Sequence, residues 1–170
     1  MTKAANLAAI GSNANTGGTL ITSGTAVAST SGTSIDFTGI PSWVKRITVM
    51  LNGVSLSGTA NIHVQIGSGS VTTSGYTGGS SRAASVVDST SAFIFVQNNS
   101  AANVYSGVMT IVAMSSTLYA AQGTSISSAS DAATVSAGNV TLGGALDRVR
   151  VTTSNGTDTF DAGSINILWE

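Results

Sequence analysis

Few residues in this chain can do acid–base or nucleophilic chemistry. There is one histidine, His63, no cysteine, and seven carboxylates scattered over 170 residues. His63 falls in Ile62-His-Val-Gln-Ile66, where it alternates with apolar neighbours, so it reads as a packed or strand-surface side chain rather than a general base. A glycosidase-like pair needs two carboxylates across one bond, and only Asp158 and Asp161 lie close in sequence. The segment Asn155-Gly-Thr-Asp158-Thr-Phe-Asp161 spaces oxygen ligands as a calcium loop would, but the same residues also build Asx turns, and the two readings compete. The residues left suit recognition rather than catalysis. Tyr76 and Arg82, in a Gly/Ser/Thr-rich stretch, and Asn98, Asn99 and Asn103 beside Tyr105 pair aromatic faces with amides, as a sugar site does. Ordinary turn chemistry would use the same residues. No enzyme and no cofactor are expected.

The elements that must position these groups are strands. Serine and threonine together number 50, glycine 20, and glutamate only one, which leaves too few helix formers for a surface helix. From Ile47, apolar Ile47, Val49 and Leu51 alternate with Arg46, Thr48 and Asn52, the period of a half-buried strand. Asn52-Gly53 is expected to turn the chain back after it. Ile62–Gly67, Leu146–Thr152 and Ser164–Trp169 show the same alternation, and 146–153 is the expected partner of the 46–52 strand. Residues 68–91 read as a long loop and 125–131 as a polar one, while 134–142 divides into two short strands around Gly138-Asn139. The total is nine or ten strands, separated by turn residues, in an all-β antiparallel sandwich of jelly-roll type. Two segments, 92–97 and 104–114, are apolar on both faces and so need two covering layers, one of them expected to be a sister subunit.

Charge narrows the partners. With a net charge of −1 and no basic cluster, nucleic acid is not expected. No run of 18 apolar residues exists, so no membrane insertion is expected. Residues 1–23 read as an arm or anchor that orders against a neighbouring protein, and 24–170 as the sandwich.

Three stretches carry a resemblance: Phe37-Thr-Gly-Ile-Pro-Ser-Trp-Val-Lys-Arg-Ile-Thr-Val-Met-Leu-Asn-Gly-Val-Ser55, Val64-Gln-Ile-Gly with Gly75-Tyr76, and Leu146-Asp-Arg-Val-Arg-Val-Thr-Thr-Ser-Asn-Gly-Thr-Asp-Thr-Phe-Asp-Ala-Gly-Ser-Ile-Asn-Ile167. Together they resemble the C-terminal β-sandwich domain of bacteriophage tail fibres, over roughly residues 34–170. The segment from Lys3 to Asn13 is also similar to the leader of small phage fibre proteins. The resemblance implies a homotrimeric virion protein made in the bacterial cytoplasm. Its arm, residues 1–23, would hold other virion proteins, and its exposed sandwich would meet host-surface polysaccharide. Because only about 30 residues precede the domain, a short fibre and a capsid or tail decoration protein without receptor binding are both open.

Overall fold

The computed structural model describes residues 21–98, 100–128 and 132–170. They form no helix and fourteen strands: β1 Thr22–Ser23, β2 Val27–Ala28, β3 Ser34–Thr38, β4 Arg46–Leu56, β5 Ile62–Ser68, β6 Ser70–Val71, β7 Thr77–Arg82, β8 Ser85–Ser89, β9 Phe93–Val96, β10 Tyr105–Ala113, β11 Leu118–Ser127, β12 Ala133–Thr141, β13 Arg148–Thr153 and β14 Phe160–Trp169. A nine-stranded sheet runs β1-β14-β4-β10-β11-β12-β7-β8, with β2 also on β14; a five-stranded sheet runs β3-β13-β5-β6, with β9 also on β5. Every pairing is antiparallel. The expected all-β sandwich is the fold.

The two inner faces meet in one core. Ile47, Val49 and Leu51 of β4, Met109 and Ile111 of β10, and Ile165 and Ile167 of β14 come from one sheet. Val64 and Ile66 of β5 and Val149 and Val151 of β13 come from the other. In β4 as far as Leu51 and throughout β13 each buried residue alternates with a more exposed one, so the sequence period is realised there. The five-stranded sheet is also pinned by charge. Arg150 of β13 lies opposite Asp36 of β3 and holds its carboxylate through two bonds, at 2.7 and 2.8 Å. A bidentate cross-strand pair fixes register more than it adds stability.

Several expectations change. Asn52-Gly53 does not reverse the chain. Gly53 takes φ 64° inside β4, and the ladder shifts register there against both β10 and β14. A left-handed residue with long partners on both sides inserts a bulge, because the neighbouring strands carry the ladder past it. The partners of β4 are β10 and β14, whereas 148–153 pairs with β3 and β5 in the other sheet. Alternation marks a strand but does not select its neighbour. Residues 77–89 of the expected long loop form the β7–β8 hairpin, closed at Ala83 with φ 50°. Residues 125–127 extend β11, and Gly138-Asn139 lies within one continuous strand, β12. Gly138 there makes room rather than a turn: a Cβ would lie 3.1 Å from the Phe93 ring and 2.8 Å from the Thr77 carbonyl oxygen.

Of the two segments apolar on both faces, 92–97 is covered by its own chain. Phe93, Ile94, Phe95 and Val96 are all buried. In the other, Val108 and Val112 are left exposed at 47% and 36%. Of the expected arm, residues 1–20 lie outside the described residues, and Thr22-Ser23 already pair with Trp169 and Leu168 in the sandwich.

Candidate functional site

The residues expected to bind sugar are mostly interior. Tyr76 is 2% exposed and packs edge-on against Phe93, with ring centroids 4.9 Å apart. Its hydroxyl accepts from the Ile66 N–H at 2.9 Å and faces the carbonyl oxygens of Thr72 at 3.1 Å and Ile66 at 3.3 Å. Burial pushes its pKa up to about 12, against the opposing pull of the Ile66 N–H. Tyr105 is 1% exposed. Its hydroxyl donates to Asn98 Oδ1 at 2.9 Å and accepts from Asn103 Nδ2 at 2.8 Å. Asn98 further accepts from the Ser100 N–H and donates from Nδ2 to the Gly58 carbonyl. Asn98, Asn103 and Tyr105 form a buried network, tied to Gly58, and Tyr76 is held separately by Ile66 and Thr72, so these faces are not offered to a sugar. A buried phenol needs a partner, and that requirement produces the same Asn/Tyr clustering as a binding site. Arg82 is half-buried at the end of β7, and Asn99 lies outside the described residues.

The calcium candidates are also engaged locally. Asn155 Oδ1 accepts from the N–H groups of Thr157 and Asp158, both at 3.0 Å, which makes an Asx turn. Asp158 accepts from the Ala60 N–H at 2.8 Å, and Asp161 accepts from the Ser55 hydroxyl. The Asn155 side chain and the Ala60 N–H hold the Asp158 carboxyl below the usual carboxylate range. Among the described residues no cluster of three metal-ligating side chains occurs. His63 is 8% exposed, and burial drives its pKa down to about 4, which keeps it neutral and packed.

The surface that stands out is the outer face of the nine-stranded sheet. Register places three rows of outward side chains across it. One row runs Met50, Val108, Thr124, Val135, Ser81, Val86 from β4 to β8. The next runs Thr48, Thr110, Gln122, Ala137, Gly79, Asp88 over the same strands. A third runs Arg46, Val112, Ala120, Asn139, Thr77. Two charges flank these rows: Arg46, ion-paired with Glu170 at one corner, and Asp88 at the other.

The face divides by chemistry. Around the first row, Val108, Val135 and Val86 are 47%, 56% and 73% exposed, and Ile126 and Val104 extend the apolar strip beyond it. Across the second and third rows runs a groove of about 990 Å³, bounded at the β8 end by Asp88 and Ser89 and at the β10 end by Val112 and Met114. Among its polar side chains, Gln122 of β11 and Asn139 of β12 lie on adjacent strands and Asp88 of β8 lies beyond β7, all three exposed. Of the expected residues Tyr76 borders this groove; sequence reasoning missed Asp88 and Asn139 because strands 77–82, 85–89 and 133–141 read as loop or as broken strands. The signal available was the outward parity of 108, 110 and 112.

No family model matches the chain, and no curated protein matches it. Among solved structures, it is similar at 10% identity to SCP-B, a member of the eqolisin family of peptidases, in complex with a tripeptide; the likeness covers 84% of this chain and 65% of that one, with a TM-score of 0.23. It is likewise similar at 10% identity to Scytalido-glutamic peptidase with a peptide-based transition-state analogue, covering 84% and 66%, with a TM-score of 0.22. The chain therefore spans about two-thirds of the length of these structures. Likenesses at such TM-scores carry no argument about activity.

Proposed function

We propose that the chain is a non-enzymatic bacteriophage virion protein of tail-fibre type, a homotrimer that adheres to the host surface through its sandwich. The sequence resemblance over residues 37–55, 64–76 and 146–167 supports the virion reading. The observation that carries self-association is the exposed apolar strip Val104, Val108, Ile126, Val135 and Val86. Apolar β-branched side chains recurring across one face of a sheet with so little charge are costly to leave in water, and their removal drives subunit contact. Three copies on one axis would also present three identical faces, which turns weak surface contacts into avidity.

Sedimentation of the purified chain tests this. The expected mass is three times 16.8 kDa, falling to the monomer mass in Val108→Lys/Val135→Lys. A wild-type monomer overturns the trimer. Mass spectrometry and immunogold labelling of purified virions test the location, and blocking of adsorption by the free protein separates a fibre from a decoration protein. Unaltered adsorption, with fragile capsids when the protein is missing, favours decoration.

A further inference from the structure

We infer that the groove on the outer face of the nine-stranded sheet binds an uncharged linear glycan, with Asp88, Gln122 and Asn139 as its polar contacts; this rests on the adhesive reading above and names the surface and ligand class that would serve it.

The floor of the groove excludes one ligand class. It lies in mid-sheet, on β10, β11, β12 and β7, whose N–H and C=O groups are spent on ladders to neighbours on both sides. A peptide that binds by strand addition needs an open edge, and this floor offers only side chains. Those side chains are uncommitted. No hydrogen bond or ion pair within the described residues engages the Asp88 carboxylate or the amides of Gln122 and Asn139. A carboxylate accepts from vicinal hydroxyls, and each amide both donates and accepts, which matches groups that are themselves donor and acceptor. Between them Val112, Ala120 and Ala137 present small, flat apolar surface suited to the C–H face of a sugar ring.

Gly79 is the feature that makes Asp88 part of the groove. A Cβ on Gly79 would lie 2.8 Å from Asp88 Oδ1. The missing side chain is therefore the space in which the carboxylate lies, over the sheet. From Thr110 to Asp88 the row crosses four strand intervals, about 19 Å at ordinary strand spacing, which is the length of a short chain rather than of one ring. A lone carboxylate with no cation in the row also repels polyanionic polysaccharide.

The test is an NMR and calorimetric titration of the full chain with cello-, malto-, xylo- and galactohexaose. A sulfated heparin hexasaccharide and a ten-residue Thr/Val peptide serve as the other probes. The expected result is saturable millimolar binding of at least one neutral hexasaccharide, with shifts confined to 77–90, 110–122 and 137–139. Asp88→Ala and Gln122→Ala should each weaken it at least tenfold, and Gly79→Ala should weaken it by displacing the carboxylate. Trp43→Ser, exposed outside both the groove and the apolar strip, should leave it unchanged. Should Gly79→Ala misfold, the two exposed-residue variants still decide. Absence of saturable binding to all four neutral hexasaccharides, binding indifferent to Asp88 and Gln122, or preference for the heparin or peptide probe overturns the inference. Sedimentation on the same samples separates the two readings: a trimer that binds none of the four sugars refutes the groove alone, and a monomer that binds one refutes the assembly alone.

Discussion

β9 and β10 look alike in sequence and end in opposite circumstances. Both are apolar on both parities, yet β9 is sealed on both faces by its own chain, while β10 turns Val108 and Val112 to the outside. Position in the sheet makes the difference. β9 is a four-residue strand on β5 that packs against the inner surface of β12, β11 and β7. Tyr76 closes over Phe93, and the Ser125 hydroxyl bonds the Phe95 carbonyl at 3.1 Å. β10 instead lies in the middle of the nine-stranded sheet, where one face is core and the other is the surface of the molecule. Two-sided hydrophobicity therefore has two physical sources: full enclosure within the chain, and an outer face held for something else.

Substitutions can break that contrast. The largest effect is expected in β9. Phe95→Ala should cost about 3–5 kcal/mol in chemical denaturation, because the ring is wholly buried and little around it can collapse. A loss below about 1 kcal/mol would mean that β9 is not enclosed. Next comes acid. His63 pairs with Ile94 of β9, and burial lowers its pKa from 6.5 to about 4. The unfolded chain binds the proton first, so stability is complete above pH 6.5 and drains as the pH falls towards 4, by about 3 kcal/mol in all. His63→Gln should flatten that part of the pH–stability curve; an unchanged slope would place the acid sensitivity elsewhere. A smaller gain is expected in the β7–β8 hairpin, where Ala83→Gly should stabilise by about 0.5–1 kcal/mol, since a non-glycine residue holds φ 50° there. Thermal melts of that variant should shift upward by a few degrees. The smallest effect belongs to β10: Val112→Thr should change the folding free energy by less than about 0.5 kcal/mol. A loss comparable to that of Phe95→Ala would show the outer face to be structural after all.

The sequence was most informative where one face of a strand is core. The inward series Ile47, Val49, Leu51 and Val149, Val151 could be read directly, because burial of one face leaves its period in the residues. It was least informative where strands are built from glycine, serine and alanine. Thr77-Gly-Gly-Ser-Ser-Arg82 makes a regular ladder with β12 while carrying no apolar alternation. Its outward residues are small because the groove runs over them. The site was hidden for the same reason: Asp88 is meaningful only once Gly79 is known to lie beneath it. Tyr76 and Tyr105 misled in the opposite direction, since a tyrosine beside asparagines is the pattern both of a sugar site and of a satisfied interior network.

The glycine bulge in β4 has a consequence for length. Before it, odd-numbered residues face the core, Ile47, Val49 and Leu51; after it the even-numbered Val54 and Leu56 do. β14 changes in the same way, with Phe160 inward ahead of its own irregularity and Ile165 and Ile167 inward behind it. The two irregularities abut: a Cβ on Gly163 would meet the Gly53 carbonyl oxygen at 2.3 Å. Each extra residue thus acts as a parity switch. A strand that kept Gly53 but ran on without the bulge would send Val54 and Leu56 to the wrong side of the sheet. Phe160 pairs with Leu56 on one side of the two irregularities and Ser164 with Asn52 on the other, so the extra residues offset each other in register, and a deletion in one strand would require a compensating change in the other.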